Sequence, residues 1–127
     1  MVVEDDVEMN ELQRELLAIH GIDSVPAYTG AEALEVSSRQ PADAVLLDVM
    51  LPEMDGFETC RRLKSGTRPM PVVMVTALDN EDCRQRGFEA GADAYFAKPF
   101  DPDEIVRTLQ VLLDSSDDND GHPPEPF

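Results

Sequence analysis

Ionisable and hydroxyl side chains stand directly after four short apolar runs of this sequence, where buried strands would end. Three of them are acids, one is a lysine and one is a threonine: Glu4, Asp5, Asp48, Lys98 and Thr76. An unpaired carboxylate is costly to desolvate, so an acid in such a place requires a compensating charge. The carboxyl ends of parallel strands meet at one edge of a sheet, where ligands bind. We therefore expect these five side chains to converge.

The three carboxylates predict a site for a hard divalent cation. At a separation of about 4 Å and an effective dielectric constant of about 20, two carboxylates repel by about 4 kcal/mol. Mg²⁺ would offset this repulsion, and Lys98 supplies a further positive charge. The hydroxyl of Thr76 can donate a hydrogen bond to an incoming oxyanion. Since phosphoryl transfer depends mainly on positioning and charge neutralisation, the set predicts a phosphoryl acceptor, with Asp48 as the nucleophile.

Short apolar runs alternate with segments of helical spacing along the chain. The first helical segment carries an apolar stripe of Met9, Leu12, Leu16 and Ile19. Continuous apolar strands that alternate with helices predict an α/β fold, in which helices cover both faces of a parallel sheet. Pro26 indicates that the second strand lies at an edge. The predicted strands span 1–3, 25–28, 44–47, 72–75 and 94–97.

Two later segments differ from the rest. The segment 79–90 predicts a weakly anchored helix, because its apolar stripe is thin and Gly87 costs about 1 kcal/mol relative to alanine. From 114 to 127 the chain holds five acids, no lysine or arginine and three prolines. We expect a single domain over 1–113, followed by a flexible acidic tail or linker stub over 114–127.

Composition excludes some classes of function. The 127 residues suit one domain, and 27 acids against 10 bases give a net charge of -17. Such a charge opposes direct binding to nucleic acid or to an anionic membrane. No apolar run reaches the roughly 18 residues of a membrane span. Without a secretion signal, Cys60 and Cys83 predict reduced thiols in a cytoplasmic protein.

Four motifs of the sequence resemble, in order and spacing, the receiver domain of two-component response regulators. They are VVEDD, VLLDVMLPEMDGFE, VVMVTA and YFAKPF, within residues 1–113. The resemblance implies a flavodoxin-like, doubly wound, five-stranded parallel sheet of order 2-1-3-4-5 with helices on both faces. The stretches LLDVMLPEMDGFETCRRLK and TALD are similar, more weakly, to receivers fused to diguanylate cyclases.

The resemblance also implies a role for each site residue. Asp48 matches the phosphorylated aspartate, and Mg²⁺ would be held by Asp5 directly, by Glu4 mainly through water, and by the backbone carbonyl of Met50. Mn²⁺ and Ca²⁺ would be substitutes. The remaining matches are the switch hydroxyl, the switch aromatic, the site lysine with its cis bond to the next proline, and two residues that shape the acceptor loop: Thr76, Tyr95, Lys98, Pro52 and Gly56.

The function implied is a phospho-accepting signalling switch, with no enzymatic activity beyond self-phosphorylation and slow self-dephosphorylation. The phosphoryl donor would be a sensor histidine kinase or a histidine phosphotransfer protein. The changed surface, around the fourth helix and the last strand, would control an output domain, an effector or a second copy of the chain. Met50 and Leu78 flank the site and are apolar, so neither can orient an attacking water, and the phosphoryl group is expected to be lost slowly.

Three other functions use an aspartate after an apolar strand, a similar sheet or the same fold. A haloacid-dehalogenase-type phosphohydrolase needs a second aspartate two residues after the nucleophile, where this chain has Met50. A flavin-binding electron carrier needs a hydroxyl- and glycine-rich phosphate loop after the first strand, where this chain has three acids, residues 4–6. A phosphorylation-independent interaction module is disfavoured by the complete set of acids, threonine and lysine, but it stays open.

Overall fold

Five parallel strands and five helices alternate along the chain. The structure, a computed structural model, describes residues 1–66 and 70–121. The sheet order is β2-β1-β3-β4-β5, with every neighbouring pair parallel, which confirms the predicted fold class and places β2 at an edge. The elements are β1 Val2–Val3, α1 Val7–Ile19, β2 Pro26–Ala27, α2 Gly30–Arg39, β3 Val45–Leu47, α3 Gly56–Lys64, β4 Val72–Thr76, α4 Glu81–Glu89, β5 Ala94–Ala97 and α5 Pro102–Gly121.

Local signals in the sequence account for these elements. Strand β3 is apolar throughout, and β4 is apolar except for Thr76 at its end. Both strands are buried along their whole length, as parallel strands covered on both faces must be. Four helices begin after a side chain that accepts a hydrogen bond from a backbone N–H of the first turn, which satisfies one of the free donors there. These capping residues are Asp6, Thr29, Asp55 and Asn80.

The sheet separates two apolar cores. Because successive side chains of a strand point to opposite faces, Val3 belongs to the core that includes residues of α2 and α3, whereas Val2 belongs to the core that includes residues of α1 and α5. On the first face lie Leu47, Phe57 and Cys60, and on the second Leu46. No helix within 1–66 and 70–121 is long and apolar enough to cross a membrane.

Helix α1 does not bury the stripe that its periodicity suggests. Met9, Leu12 and Ile19 are 36%, 50% and 76% exposed, although an apolar stripe ordinarily faces the core. The buried residues of α1 are Asn10, Gln13 and Leu17. The physical reason is that the amide of Asn10 binds buried carbonyl oxygens at the strand ends, which turns a polar face of the helix inward.

The later boundaries differ modestly from expectation. Helix α4 is shorter than the predicted segment 79–90, because Asn80 caps it. Helix α5 continues past Leu113 to Gly121, into the first part of the predicted tail. The division of the chain into a domain over 1–113 and a tail over 114–127 stays a prediction, and residues 122–127 of that tail lie outside the described part of the chain.

Candidate functional site

Strand register brings the polar residues together at one edge of the sheet. Val3 pairs with Leu47, so the residues that follow, Glu4 and Asp48, lie side by side. On the other flank, Thr76 at the end of β4 pairs with Ala97, and the backbone N–H of Lys98 donates to the Thr76 carbonyl at 2.8 Å. Four chain segments that are distant in sequence therefore deliver side chains to one place.

The carboxylates of Glu4, Asp5 and Asp48 form a compact cluster. One oxygen from each lies within 4.8 Å of the others. Glu4 and Asp48 are only 3% and 8% exposed, whereas Asp5 is exposed. These are hard oxygen donors at the spacing that a shared cation needs, so the donor set fits Mg²⁺, which favours carboxylates and keeps waters of its own.

Lys98 bridges two of the three acids. Its Nζ donates to Glu4 Oε1 at 2.7 Å and to Asp48 Oδ2 at 3.1 Å. Desolvation alone would lower the pKa of Lys98, but its hydrogen bond to Glu4 and the charge of Asp48 outweigh burial and raise it. Burial raises the pKa of Glu4 in spite of the bond from Lys98. One ammonium thus faces three carboxylates, which leaves the site able to accept a divalent cation.

The loop after β3 holds Asp48 from its other side. The backbone N–H of Met50 donates to Asp48 Oδ1 at 3.0 Å, while the Met50 side chain is 56% exposed beside the site. The loop then returns against the strand, since a Cβ at Gly56 would stand 2.4 Å from the Asp48 carbonyl oxygen. Only glycine fits there, in agreement with its predicted part in shaping the loop. The ligand role of the Met50 carbonyl stays a prediction.

Thr76 and Tyr95 are joined through one loop residue. Thr76 is fully buried, and its Oγ accepts from the backbone N–H of Leu78 at 3.2 Å. The Tyr95 hydroxyl donates to the carbonyl of the same Leu78. Burial raises the pKa of Tyr95, and the Arg84 guanidinium lies 5.1 Å from its ring centroid. The Lys98–Pro99 bond is cis, as the resemblance implies.

Comparison with known proteins decides the family. A family model described as the response regulator receiver domain matches residues 1–110. The chain belongs to this family. The response regulator MprA of Mycolicibacterium vanbaalenii is 39% identical over 121 residues, which are 95% of this chain and 52% of that protein. This chain therefore spans about half the length of such curated relatives.

Solved receiver domains have the same architecture. The BeF3-activated N-terminal receiver domain of Klebsiella pneumoniae RstA matches with a TM-score of 0.82 and 38% identity, over 88% of this chain and 95% of that one. The Francisella response regulator 1452 receiver domain matches with a TM-score of 0.85 and 29% identity, over 91% and 95%. Receiver domains of two-component response regulators are signalling domains and not enzymes in the ordinary sense.

Two buried residues near these side chains, Asn10 and Gly87, were not predicted from the sequence to lie there. Asn10 is fully buried and holds backbone carbonyls beside Glu4. No local signal distinguishes it from a surface residue of α1. Gly87 of α4 lies where a Cβ would stand 3.0 Å from the Tyr95 ring. A glycine inside a helix can indicate close packing against a neighbouring element. From the sequence, Gly87 was interpreted only as a residue that weakens the helix.

Proposed function

We propose that this receiver domain is a phospho-accepting signalling switch whose acceptor is Asp48. The donor is a phosphohistidine of a sensor histidine kinase or a histidine phosphotransfer protein. The observation that carries the proposal is the bridge from Lys98 Nζ to both Glu4 and Asp48, with the Asp5 carboxylate in the same cluster. That arrangement supports the proposal, because phosphoryl transfer requires positioned charges around the reacting groups.

The transfer step makes an acyl phosphate. A carboxylate oxygen of Asp48 attacks phosphorus in line, the new P–O bond forms as the donor's P–N bond breaks, and the imidazole leaves. Lys98, already bound to Asp48, stays close to the charge that builds up there. Glu4, Asp5, Asp48 and the Met50 carbonyl would hold Mg²⁺, or Mn²⁺ or Ca²⁺ in its place, and the bound ion would neutralise charge on the phosphoryl oxygens.

The signal leaves the site through Thr76 and Tyr95. The Thr76 hydroxyl turns from the Leu78 N–H to a phosphoryl oxygen, which frees the loop that joins β4 to α4. Because the Tyr95 hydroxyl binds the Leu78 carbonyl, the ring and α4 move with that loop. The change is a shift in population between two packings of α4 and β5 and leaves the fold intact.

The partners follow from the family and the charge. The chain covers about half of relatives named as response regulators, so an output domain or an effector protein is proposed to read the face of α4 and β5. A second copy of the chain is a further candidate for that face. The net charge of -17 argues against direct contact with nucleic acid or a membrane, and the proposed location is the cytoplasm.

Intact mass spectrometry tests the proposal. The chain is incubated with Mg²⁺ and a small phosphodonor such as acetyl phosphate, and the wild type is expected to gain one phosphoryl group, about 80 Da. Asp48→Asn and wild type in excess EDTA are expected to gain none. A variant Asp55→Asn, which alters an acid of the nearby loop, is the matched control and should react as the wild type does. Equal labelling of Asp48→Asn and wild type would contradict the assignment.

A further inference from the structure

Asn10 makes an unusual set of contacts for a helix residue. Its side chain is fully buried, and Nδ2 lies 3.1 Å from each of three backbone carbonyl oxygens: those of Val2, Glu4 and Ala27. Its Oδ1 accepts from Arg14 Nε at 2.8 Å, one turn further along α1. The Arg14 bond fixes which way the amide faces, since a guanidinium can only donate.

The three carbonyls belong to the place where β1 ends beside β2. A side-chain amide has two hydrogens, so the three acceptors at equal distance share them. Because the Asn10 side chain is fully buried, water cannot replace it as the donor to these carbonyls. The backbone N–H of Glu4 donates to the Ala27 carbonyl at 3.0 Å, so the same junction is also closed by the strand ladder. Asn10 therefore connects α1, β1 and β2 at the first acid.

This junction sets where the acidic pair stands. The backbone of Glu4 is held by Asn10 and Ala27, and its side chain by Lys98 at 2.7 Å. Asp5 is the next residue and its side chain is exposed, so its position depends on the backbone at Glu4 and Asp5. Any movement of the Glu4 backbone would therefore displace two carboxylates of the cluster relative to the third, Asp48.

We propose that Asn10 is a positioning residue for the metal site: its buried amide fixes the Glu4 backbone and thereby the spacing of the three carboxylates. The inference rests on the proposed function, because it concerns the Mg²⁺ that the phosphoryl-acceptor site would hold. Partners that orient metal ligands without touching the ion typically change metal affinity by about 10- to 100-fold when they are removed.

Calorimetric titration of the full-length chain with Mg²⁺ at pH 7 tests the inference. Asn10→Leu keeps the side-chain shape and removes the hydrogen bonds, and it is expected to weaken Mg²⁺ binding by about tenfold or more. Leu17→Ala is the matched control, because it removes a buried side chain of the same helix on the face that packs with α5. It should destabilise the fold and leave the Mg²⁺ dissociation constant within about twofold of the wild type.

Urea unfolding of each variant in EDTA separates metal affinity from stability. If Asn10→Leu does not fold, Arg14→Met replaces it: Arg14 is half-buried, and its loss frees the amide to turn, so binding should weaken by a smaller factor in the same direction. Unchanged binding in the folded Asn variant, or in Arg14→Met where that variant replaces it, would overturn the inference. An equal loss of binding in Leu17→Ala would also overturn it, because general loosening would then explain the effect. No Mg²⁺ binding by the wild type would contradict the proposed function itself.

Discussion

The positive charge of Lys98 compensates part of the negative charge of the carboxylates at the site. Glu4 and Asp48 are almost fully buried, and Lys98 is the residue that donates to both of them. Two buried carboxylates without that bridge would each be strongly disfavoured. The third carboxylate, Asp5, stays exposed at the edge of the cluster. Lys98 therefore offsets part of the carboxylate charge, and the cluster keeps an exposed side at Asp5.

We expect the side chain of Met50, beside Asp48, to influence how long a phosphoryl group on Asp48 would last. Met50 is 56% exposed beside Asp48, and its apolar side chain cannot orient an attacking water, so the acyl phosphate is expected to survive well beyond seconds. Met50→Asn supplies an amide that orients a water molecule and should shorten the half-life by roughly tenfold. Decay is followed by intact mass after the donor is removed.

A substitution of the same kind far from the site is the control for that decay. Val111→Asn, on an exposed position of α5, should leave the half-life unchanged. Loss of half the label from the wild type within seconds would contradict the account, as would an equal decay rate in Met50→Asn.

At the scale of elements, α4 packs directly against the ring of Tyr95. Gly87 is the buried residue of this helix, and a Cβ there would lie 3.0 Å from both Met74 Sδ and the Tyr95 ring. Arg84 covers the same ring and pairs with Asp79 at 3.2 Å. The glycine thus lets α4 approach β5 closely, which makes the position of Tyr95 and the position of α4 depend on each other.

Gly87→Ala should have two opposing effects on the free energy of unfolding, and they are of similar size. Alanine favours the helix by about 1 kcal/mol. Overpacking against Tyr95 costs about 1 to 3 kcal/mol. The tight contact is expected to dominate, so the free energy of unfolding in urea should fall by about 1 kcal/mol. Gln85→Ala, on the exposed face of α4, should change it by less than about 0.5 kcal/mol. A gain in stability from Gly87→Ala would show that α4 does not rest on the ring.

Helices were the elements whose orientation the sequence predicted least well. The apolar spacing of α1 is regular, yet Met9 and Leu12 face outward because Asn10 finds buried acceptors at the ends of β1 and β2. Those acceptors belong to other segments, so periodicity within one helix cannot reveal them. The same holds for Gly87, because the close contact that favours glycine there is with Tyr95 of β5.

At the scale of the whole molecule, the sheet was predictable because four of its five strands are short apolar runs that end at a polar residue. The order β2-β1-β3-β4-β5 then places Glu4 and Asp48 on adjacent strands. The sequence predicted that Lys98 would lie near these acids, and the structure adds that its Nζ donates to both of them. The hydrogen bonds of Asn10 could not be predicted. Its acceptors are backbone carbonyls, which every residue has, so no residue type in the sequence reveals them.

The opposite edge of the sheet buries a charge of its own. The Met1 ammonium donates to the Ala44 carbonyl at 3.0 Å, and burial lowers its pKa from 8.0 to about 6, with Asp43 partly offsetting the shift. Between these values the unfolded chain binds more protons than the folded chain. The free energy of unfolding should therefore rise from pH 6 to pH 8, by at most about 2 to 3 kcal/mol.

The comparison that isolates this term uses an amino-terminal extension. A short Gly-Ser segment before Met1 moves the ammonium into solvent, while the histidines and acids stay the same. Urea unfolding at pH 6, 7 and 8 should show a steeper rise for the original chain than for the extended one. Parallel curves would show that the Met1 ammonium is not buried in solution.

The most direct test of the account is to locate the phosphoryl group. After reaction with acetyl phosphate and Mg²⁺, borohydride reduces an aspartyl phosphate to homoserine, and peptide sequencing by mass spectrometry identifies the residue. We predict homoserine at position 48 alone, with none in the presence of EDTA. Homoserine at position 5, or a stable phosphate on a hydroxyl with position 48 unmodified, would contradict the claim that Asp48 is the acceptor.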